Sequence, residues 1–301
     1  MSLVVVGSVA YDGIETPYGK ADRLLGGSAT YISLAASFFG PVKIVAVVGD
    51  DFADADVRLL EEHGVDLEGL ERAPGKTFYW AGVYSKDWNE RTTLTTDLNV
   101  FADFNPKLPA SYRASPYLFL GNIQPALQGQ VRRQMPGARL VGGDTMNLWI
   151  RETPAELAET LRDWHVLLIN DSEARMLSGK NDLLRAARKI LEMGPQALII
   201  KRGEYGAALF RGDGYFVTPG FLLESVSDPT GAGDSFAGGF MGYLAGCGAA
   251  PGDQAALRRA VVYGSVMGSF CCEQFGVRRL AGLTRSEIDG RYREFRVFTE
   301  F

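Results

Sequence analysis

The sequence is poor in the residues that build disulfide frameworks, zinc centres and histidine-based catalysis. Its three cysteines, Cys247, Cys271 and Cys272, are odd in number, two are adjacent, and no C-x-x-C spacing occurs. A metal motif is therefore unsupported, and reduced thiols in or near the core are expected. The two histidines, His63 and His165, stand beside a helix stop and before an apolar strand. They support neither a zinc site nor a histidine triad. No apolar run approaches the roughly 20 residues that span a bilayer. The opening MSLVVVGSVAYDG lacks both a basic segment and a long apolar one, so no signal peptide is expected and the protein is expected in the cytoplasm. Positive charge is not in excess: 31 Lys and Arg face 36 Asp and Glu, a net −5. This balance argues against nucleic acid and anionic membranes as partners, which require a basic face. A small polyanion remains open to binding through backbone dipoles.

The two common phosphate loops are also missing. GLERAPGKT (69–77) has one residue too many between its glycines for a P-loop and runs into a strand pattern. At 231–236 the dinucleotide fingerprint fails because Phe236 holds the place of its last glycine.

What is present is alternation. Apolar, β-branched runs at 3–8, 42–51, 117–123, 138–145, 165–171 and 196–203 predict strands, with a strand pair over 207–220. Helical spacing occupies 28–40, 52–66, 153–164, 183–194, about 234–246 and 253–272. In the third of these, Thr153 is predicted as N-cap, Pro154 at the first helical position and Glu156 at the third. Such alternation implies a mostly parallel sheet covered on both faces, an α/β/α sandwich. Residues 11–25 suit a small hairpin, and the aromatic and β-branched stretch 76–101 suits another. Together these are expected to form a small β lid on a single domain spanning 1–301. No repeat of 20–50 residues is visible.

The stretch SVSDPTGAGDSFAGGFMGYL (225–244) carries the chemistry. A glycine-rich turn entering a helix aims several backbone N–H groups at one point, and the helix end adds roughly half a positive charge. The result is an anion site that needs no basic side chain. Asp234 sits at its mouth. Alone it fits a helix cap, but a carboxylate beside a phosphate is more useful as the acceptor of a proton from an attacking hydroxyl. The helix dipole is expected to lower its pKa, leaving a weak but well-placed base.

At this point the sequence resembles the ribokinase (PfkB) family of carbohydrate and nucleoside kinases, nearly end to end. DPTGAGDSFAGGF (228–240) is similar to the family's C-terminal signature, VVVGSVAYD (4–12) to its opening strand and GGSATY (26–31) to its Gly-Gly signature. VGDDF (48–52), NDSE (170–173) and KRGEYG (201–206) follow in family order. The resemblance implies a ribokinase-like fold and assigns Asp234 as catalytic base, with the amides of Gly231, Ala232 and Gly233 as anion hole. It places Asp12, Gly26, Gly27 and Tyr31 at the acceptor. Asn170, Lys201, Gly203 and Gly206 go to the ATP side, Glu173 to Mg2+ through water, and Asp228 to a monovalent cation such as K+, as in some relatives. Two places depart from the pattern. Tyr31 stands where the family usually carries an asparagine, and DTMNLW (144–149) only loosely follows its D-P-N-x-R run.

With no basic cluster for a phosphorylated sugar, a neutral acceptor is expected. A small sugar or polyol comes first. The alternative is a nucleoside, with Tyr31 and Trp80 flanking its base. A ligand-sensing protein that kept the fold would usually lack Asp234, the glycine turn or Glu173, and all are present. Other residues also fit plainer roles: Asp12 as a turn cap, Asn170 and Glu173 as a capped helix start, Lys201 as a solvated strand end, Trp80 and Trp88 as hairpin packing. An exposed lid edge is a candidate surface for a homodimer.

Overall fold

The computed structural model describes residues 1–85, 88, 91–212 and 214–300. Among them are a nine-stranded and a four-stranded sheet. In sequence order the large sheet is built from β1 (Leu3–Val6), β4 (Val42–Val48), β5 (Val65–Arg72), β8 (Tyr117–Leu120), β9 (Leu140–Asp144), β10 (Val166–Asn170), β11 (Ala197–Lys201), β12 (Ala207–Arg211) and β13 (Gly214–Thr218). Its spatial order is β13-β12-β11-β10-β9-β8-β1-β4-β5. Every neighbouring pair from β5 across to β11 is parallel, and β12 and β13 extend the edge as antiparallel strands. The chain first grows outward from β1 through β4 to β5, then returns to β1's other side with β8. The carboxyl ends of β1 and β8 thus flank the point where strand order reverses.

The strand period of two sends alternate residues to opposite faces. Leu3 and Val5 pack with α1 (Ser28–Ser37), α8 (Ala232–Cys247) and α9 (Gln254–Cys271). Val4 and Val6 pack with α3 (Pro125–Gln134), α5 (Pro154–Leu161) and α7 (Leu183–Leu191). Both faces are covered, as the apolar strands predict. The approach of α8 to α1 is close because α8 is rich in small residues. A Cβ on Gly238 would overlap the Ile32 carbonyl oxygen, and one on Gly242 would stand 2.8 Å from the Ala36 Cα.

The small sheet has the order β3-β2-β6-β7. Two hairpins, β2 (Ala10–Thr16) with β3 (Gly19–Gly26) and β6 (Phe78–Tyr84) with β7 (Arg91–Asp97), join through parallel pairing of β2 and β6. These are the hairpins expected at 11–25 and 76–101; tip residues 86, 87, 89 and 90 of the second lie outside the described residues. In register, Asp12 partners Trp80, Gly82 partners Thr93 and Tyr84 partners Arg91. Ile14, Leu24 and Tyr84 are buried together, with Trp80, Trp88 and Phe275 packed against them.

Several elements were not expected from the sequence, and each is polar on most of its surface. β5 is a partly exposed edge strand, and α3 is buried mainly through Pro125, Gln128 and Val131. Helix α6 (Asp171–Ser178) buries only Ala174, and α11 (Arg285–Thr299) only Ile288 and Phe295. Thr153 holds the N-cap position of α5 as expected, but without a side-chain cap bond. Its hydroxyl donates to the Trp149 carbonyl (3.3 Å), closing α4 (Asn147–Glu152), and makes no cap bond to α5, although Pro154 opens α5 as expected.

Replacing Gly238 by valine should push α1 and α8 apart and lower stability by about 1–3 kcal/mol, measured by denaturant unfolding; an unchanged midpoint would show that the interface yields without strain.

Candidate active site

Helix α8 opens on Gly231, which has φ 75°, in the left-handed region. A Cβ there would drive into the ring of Tyr31, so glycine alone both makes the turn and leaves room for that ring. The helix begins at Ala232, two residues before the expected start, which puts Asp234 at its third position. Asp234 is therefore not the cap: Gly231 is, and no side chain caps this end. Among the described residues the amides of Gly231 and Gly233 have no main-chain acceptor. The Ala232 amide differs from the expected trio, because it donates to the Pro229 carbonyl (3.1 Å) and closes the preceding turn.

Other elements deliver side chains to this turn. Lys201, at the end of β11, is part-buried, and its Nζ donates to the Gly233 carbonyl (3.5 Å). Lys201 is thus half-buried against the turn rather than fully solvated. From the small sheet, the buried Tyr84 hydroxyl accepts a bond from Thr230 Oγ1 (3.2 Å), tying β6 to the residue before Gly231. Asp12 in β2 is buried, and the Gly27 amide favours the charged form of its carboxylate. A Cβ on Gly26 would overlap the Asp12 carboxylate. Gly27, at φ 90°, caps α1, and the Ser8 and Ser28 hydroxyls bond to each other (3.2 Å) beside it. Tyr31 is fully buried with its ring on Gly231, so it lies beneath the turn and presents no face for stacking. Its hydroxyl is buried without a hydrogen-bond partner among the described residues.

Asn170 and Glu173 form a capping box on α6. The Asn170 side chain accepts from the Glu173 amide (2.8 Å), and the Glu173 carboxylate accepts from the Asn170 amide (2.9 Å). Asp228 is wholly buried; its carboxylate accepts from the Thr230 amide (2.8 Å) and the Gly276 amide (2.9 Å), joining two loops. Gly203 and Gly206 bound the turn after β11, and a Cβ on Gly206 would overlap Thr218 and Pro219. The Gly206 contacts are with the end of β13 rather than with the 231–234 turn. Two surface clefts, of about 120 and 230 Å3, lie against β4–β5 and between α3 and α5; neither is lined by a residue of the 231–234 turn or by Asp12, Glu173, Lys201 or Asp228.

Burial dominates the electrostatics. It pushes Asp234 above the ordinary carboxylate range, with Lys201 and then Arg91 pulling the other way. The expected lowering by the helix end is outweighed by the loss of water. Asp12 is pushed up to about 8, first by burial, then by Asp228 and Asp234, against the Gly27 amide and Arg91. Glu173 is raised by burial against Lys201, and Asp228 by burial against its two amide bonds. Asp144, at the end of β9, is raised far above its usual range by burial, then by Asp234, against Lys201. One of its oxygens, Oδ1, is buried without a hydrogen-bond partner among the described residues.

Asp144 and Arg91 belong to this constellation and were missed in the sequence. Asp144 had a signal, a carboxylate ending a buried strand. Arg91 had none, being an exposed residue of a polar hairpin that only the small sheet's placement sets near Asp12, Glu173 and Asp234.

A mostly parallel sheet with a smaller sheet at one side and an acidic cluster around a glycine-opened helix defines a ribokinase-like phosphotransferase architecture. The chain belongs to the pfkB family of carbohydrate kinases, whose sequence pattern matches residues 2–281. It is 28% identical over 254 residues to a cytidine kinase of Thermococcus kodakarensis, covering 82% of this chain and 90% of that one. Its fold matches a Burkholderia thailandensis nucleoside kinase in complex with inosine (TM-score 0.77, 24% identity, 97% of this chain and 98% of that one). It also matches an aminoimidazole riboside kinase from Salmonella enterica complexed with aminoimidazole riboside and an ATP analogue (TM-score 0.76, 20% identity, 97% and 100%). At those identities the structural matches speak for the fold.

A carboxyl group raised on folding is protonated in the native state and ionised in the unfolded chain, so it costs stability as pH rises through that window. For Asp12 the window runs from 3.8 to about 8. The Asp12→Asn variant should therefore gain in melting temperature over the parent as pH rises through it, with little further gain above. A difference that stays flat across the window would show that Asp12 is not held neutral.

Proposed function

We propose that this protein transfers the γ-phosphoryl group of ATP to a hydroxyl of a small sugar, polyol or nucleoside. The observation that carries this reading is the Gly231 turn, which opens α8 with uncapped amides and sets Asp234 one helical position beyond Gly233. The acceptor oxygen attacks the γ-phosphorus, the bond to the ADP oxygen breaks, and the acceptor's proton passes to the Asp234 carboxylate. Amides of Gly231 and Gly233 face the transferring group, and that of Ala232 joins them only by releasing the Pro229 carbonyl. Burial makes Asp234 a stronger base than a solvated carboxylate, which favours proton uptake near neutral pH.

Asp12 holds acceptor hydroxyls, with Gly26 and Gly27 letting the acceptor lie on the backbone. Lys201, and beyond it Gly203 and Gly206, take the nucleotide side. The site fits Mg2+. Asp144, Glu173 and Asp234 each feel the charge of the Lys201 ammonium, and among the described residues Asp144 keeps a buried oxygen without a partner. Among the described residues no three ligating side chains converge to hold a metal by themselves, which suits an ion whose ligands are largely water and phosphate. Asp144 and Glu173 would hold it through water, with Asn170 fixing Glu173. When bound, Mg2+ neutralises phosphate charge during transfer. A monovalent cation such as K+ at Asp228 would act on the 228–231 turn rather than on the acceptor. The small sheet serves as the lid of a single kinase domain, excluding water, and an edge strand of that lid is the surface through which a homodimer would pair.

The Asp234→Asn variant should bind ATP nearly as the parent does and lose at least about 100-fold in kcat. Coupled ADP detection over sugars, inositols and nucleosides measures it. For the parent, the acid limb of kcat should lie above 3.8, the ordinary Asp value. Near-parental turnover in the variant would remove Asp234 as the base.

A further inference from the structure

In open α/β sheets the crevice at the carboxyl ends of the strands, where strand order reverses, is where ligands settle. Here that crevice lies between β1 and β8. Its floor is narrow: the Gly121 amide donates to the Val6 carbonyl (2.7 Å), and a Cβ on Gly121 would stand 3.2 Å from Ser28 Oγ. Ser28 follows Gly27, so the floor adjoins the acceptor side. Asn122 follows Gly121 at this spot and is part-exposed.

The Asn122 amide is oriented by its neighbours. Trp149 Nε1 donates to Asn122 Oδ1 (2.9 Å), and Asn122 Nδ2 donates to Met146 Sδ (3.1 Å). An indole N–H only donates, so the amide oxygen must face Trp149 and the NH2 group must face away. A thioether is a weak acceptor and uses one of the two N–H groups, which leaves a second donor. The mount is firm. The buried Gln128 amide shares its two N–H groups among the carbonyls of Leu120 (3.3 Å), Gly121 (2.9 Å) and Asp144 (3.0 Å), clamping the ends of β8 and β9 together. Trp149 and Met146, both part-exposed, give the wall flat and polarisable surface.

We propose that Asn122 is a specificity-determining residue for the part of the acceptor that is not phosphorylated. Its free N–H donates to a carbonyl oxygen or ring nitrogen of a planar heterocycle lying along Met146 and Trp149. This deepens the kinase reading, on which it rests, by making nucleosides the acceptor class: Asp12 holds the sugar and Asn122 the base. Trp149 acts as a positioning residue that fixes the amide's orientation.

Cytidine and ribose are the probes, since they differ by the heterocycle. The parent should prefer cytidine. Asn122→Asp keeps the shape and the acceptor for Trp149 Nε1 but removes the donor. It should raise the KM for cytidine by about tenfold, with kcat, the KM for ATP and ribose turnover nearly unchanged. Trp149→Phe, which adds no charge, should raise the cytidine KM by a smaller factor and covers the case in which Asn122→Asp does not fold. A parent that prefers ribose, an unchanged cytidine KM in Asn122→Asp, or equal losses for ribose and cytidine would each overturn the proposal. Calorimetric binding of cytidine separates the two readings. Cytidine bound by the parent, weakened by Asn122→Asp and never phosphorylated would uphold this subsite and remove the kinase reading. Ribose phosphorylated while cytidine is neither bound nor turned over would do the reverse.

Discussion

Removal of carboxylates from water is the constraint around which this protein is arranged. Asp12, Asp144, Glu173, Asp228 and Asp234 are all pushed toward their neutral forms, and burial is the largest cause for each. Such a cluster is costly to fold. It is tolerated because two main-chain amides serve Asp228, one serves Glu173 and the Gly27 amide favours the charge of Asp12, while Lys201 and Arg91 oppose the charge of Asp234. Arriving phosphates and a divalent cation would change that balance, which is why the arrangement suits a site that works only when loaded.

The architecture serves this cluster by bringing strand ends together. Asp144 and Lys201 end β9 and β11, and Asn170 ends β10 before the capping box that fixes Glu173. Helix α8 reaches the same end of the sheet because its small residues let it lie tightly on α1, and the Tyr31 ring beneath Gly231 supports the turn from that helix. The four-stranded sheet contributes the remaining charges. Asp12 comes from one hairpin and Arg91 from the other, and Tyr84 ties the second hairpin to Thr230.

Much of the fold was legible because the buried strands are continuous apolar runs, the pattern that parallel sheets impose. Of the two hairpins of the small sheet, 76–101 was legible from aromatic and β-branched content and 11–25 from its polar turn residues. What escaped were elements held by few apolar residues: β5 at an edge, α3, α6 and α11. The N-cap position of Thr153 was legible, but its hydroxyl turns to the Trp149 carbonyl one helix earlier instead of capping α5.

In the candidate site, local signals served local features. The glycine turn, the Asn170–Glu173 box and the Gly26–Gly27 pair were visible because each depends on backbone conformation within a few residues. Sequence alone determined that a helix would open on a glycine-rich turn with a carboxylate in its first turn. Only the tertiary structure decided that Asp234 is raised rather than lowered, that Tyr31 lies beneath the turn, and that Asp144, Arg91 and Asn122 belong nearby. Desolvation, packing and strand order join residues far apart along the chain, and no spacing within one stretch records them.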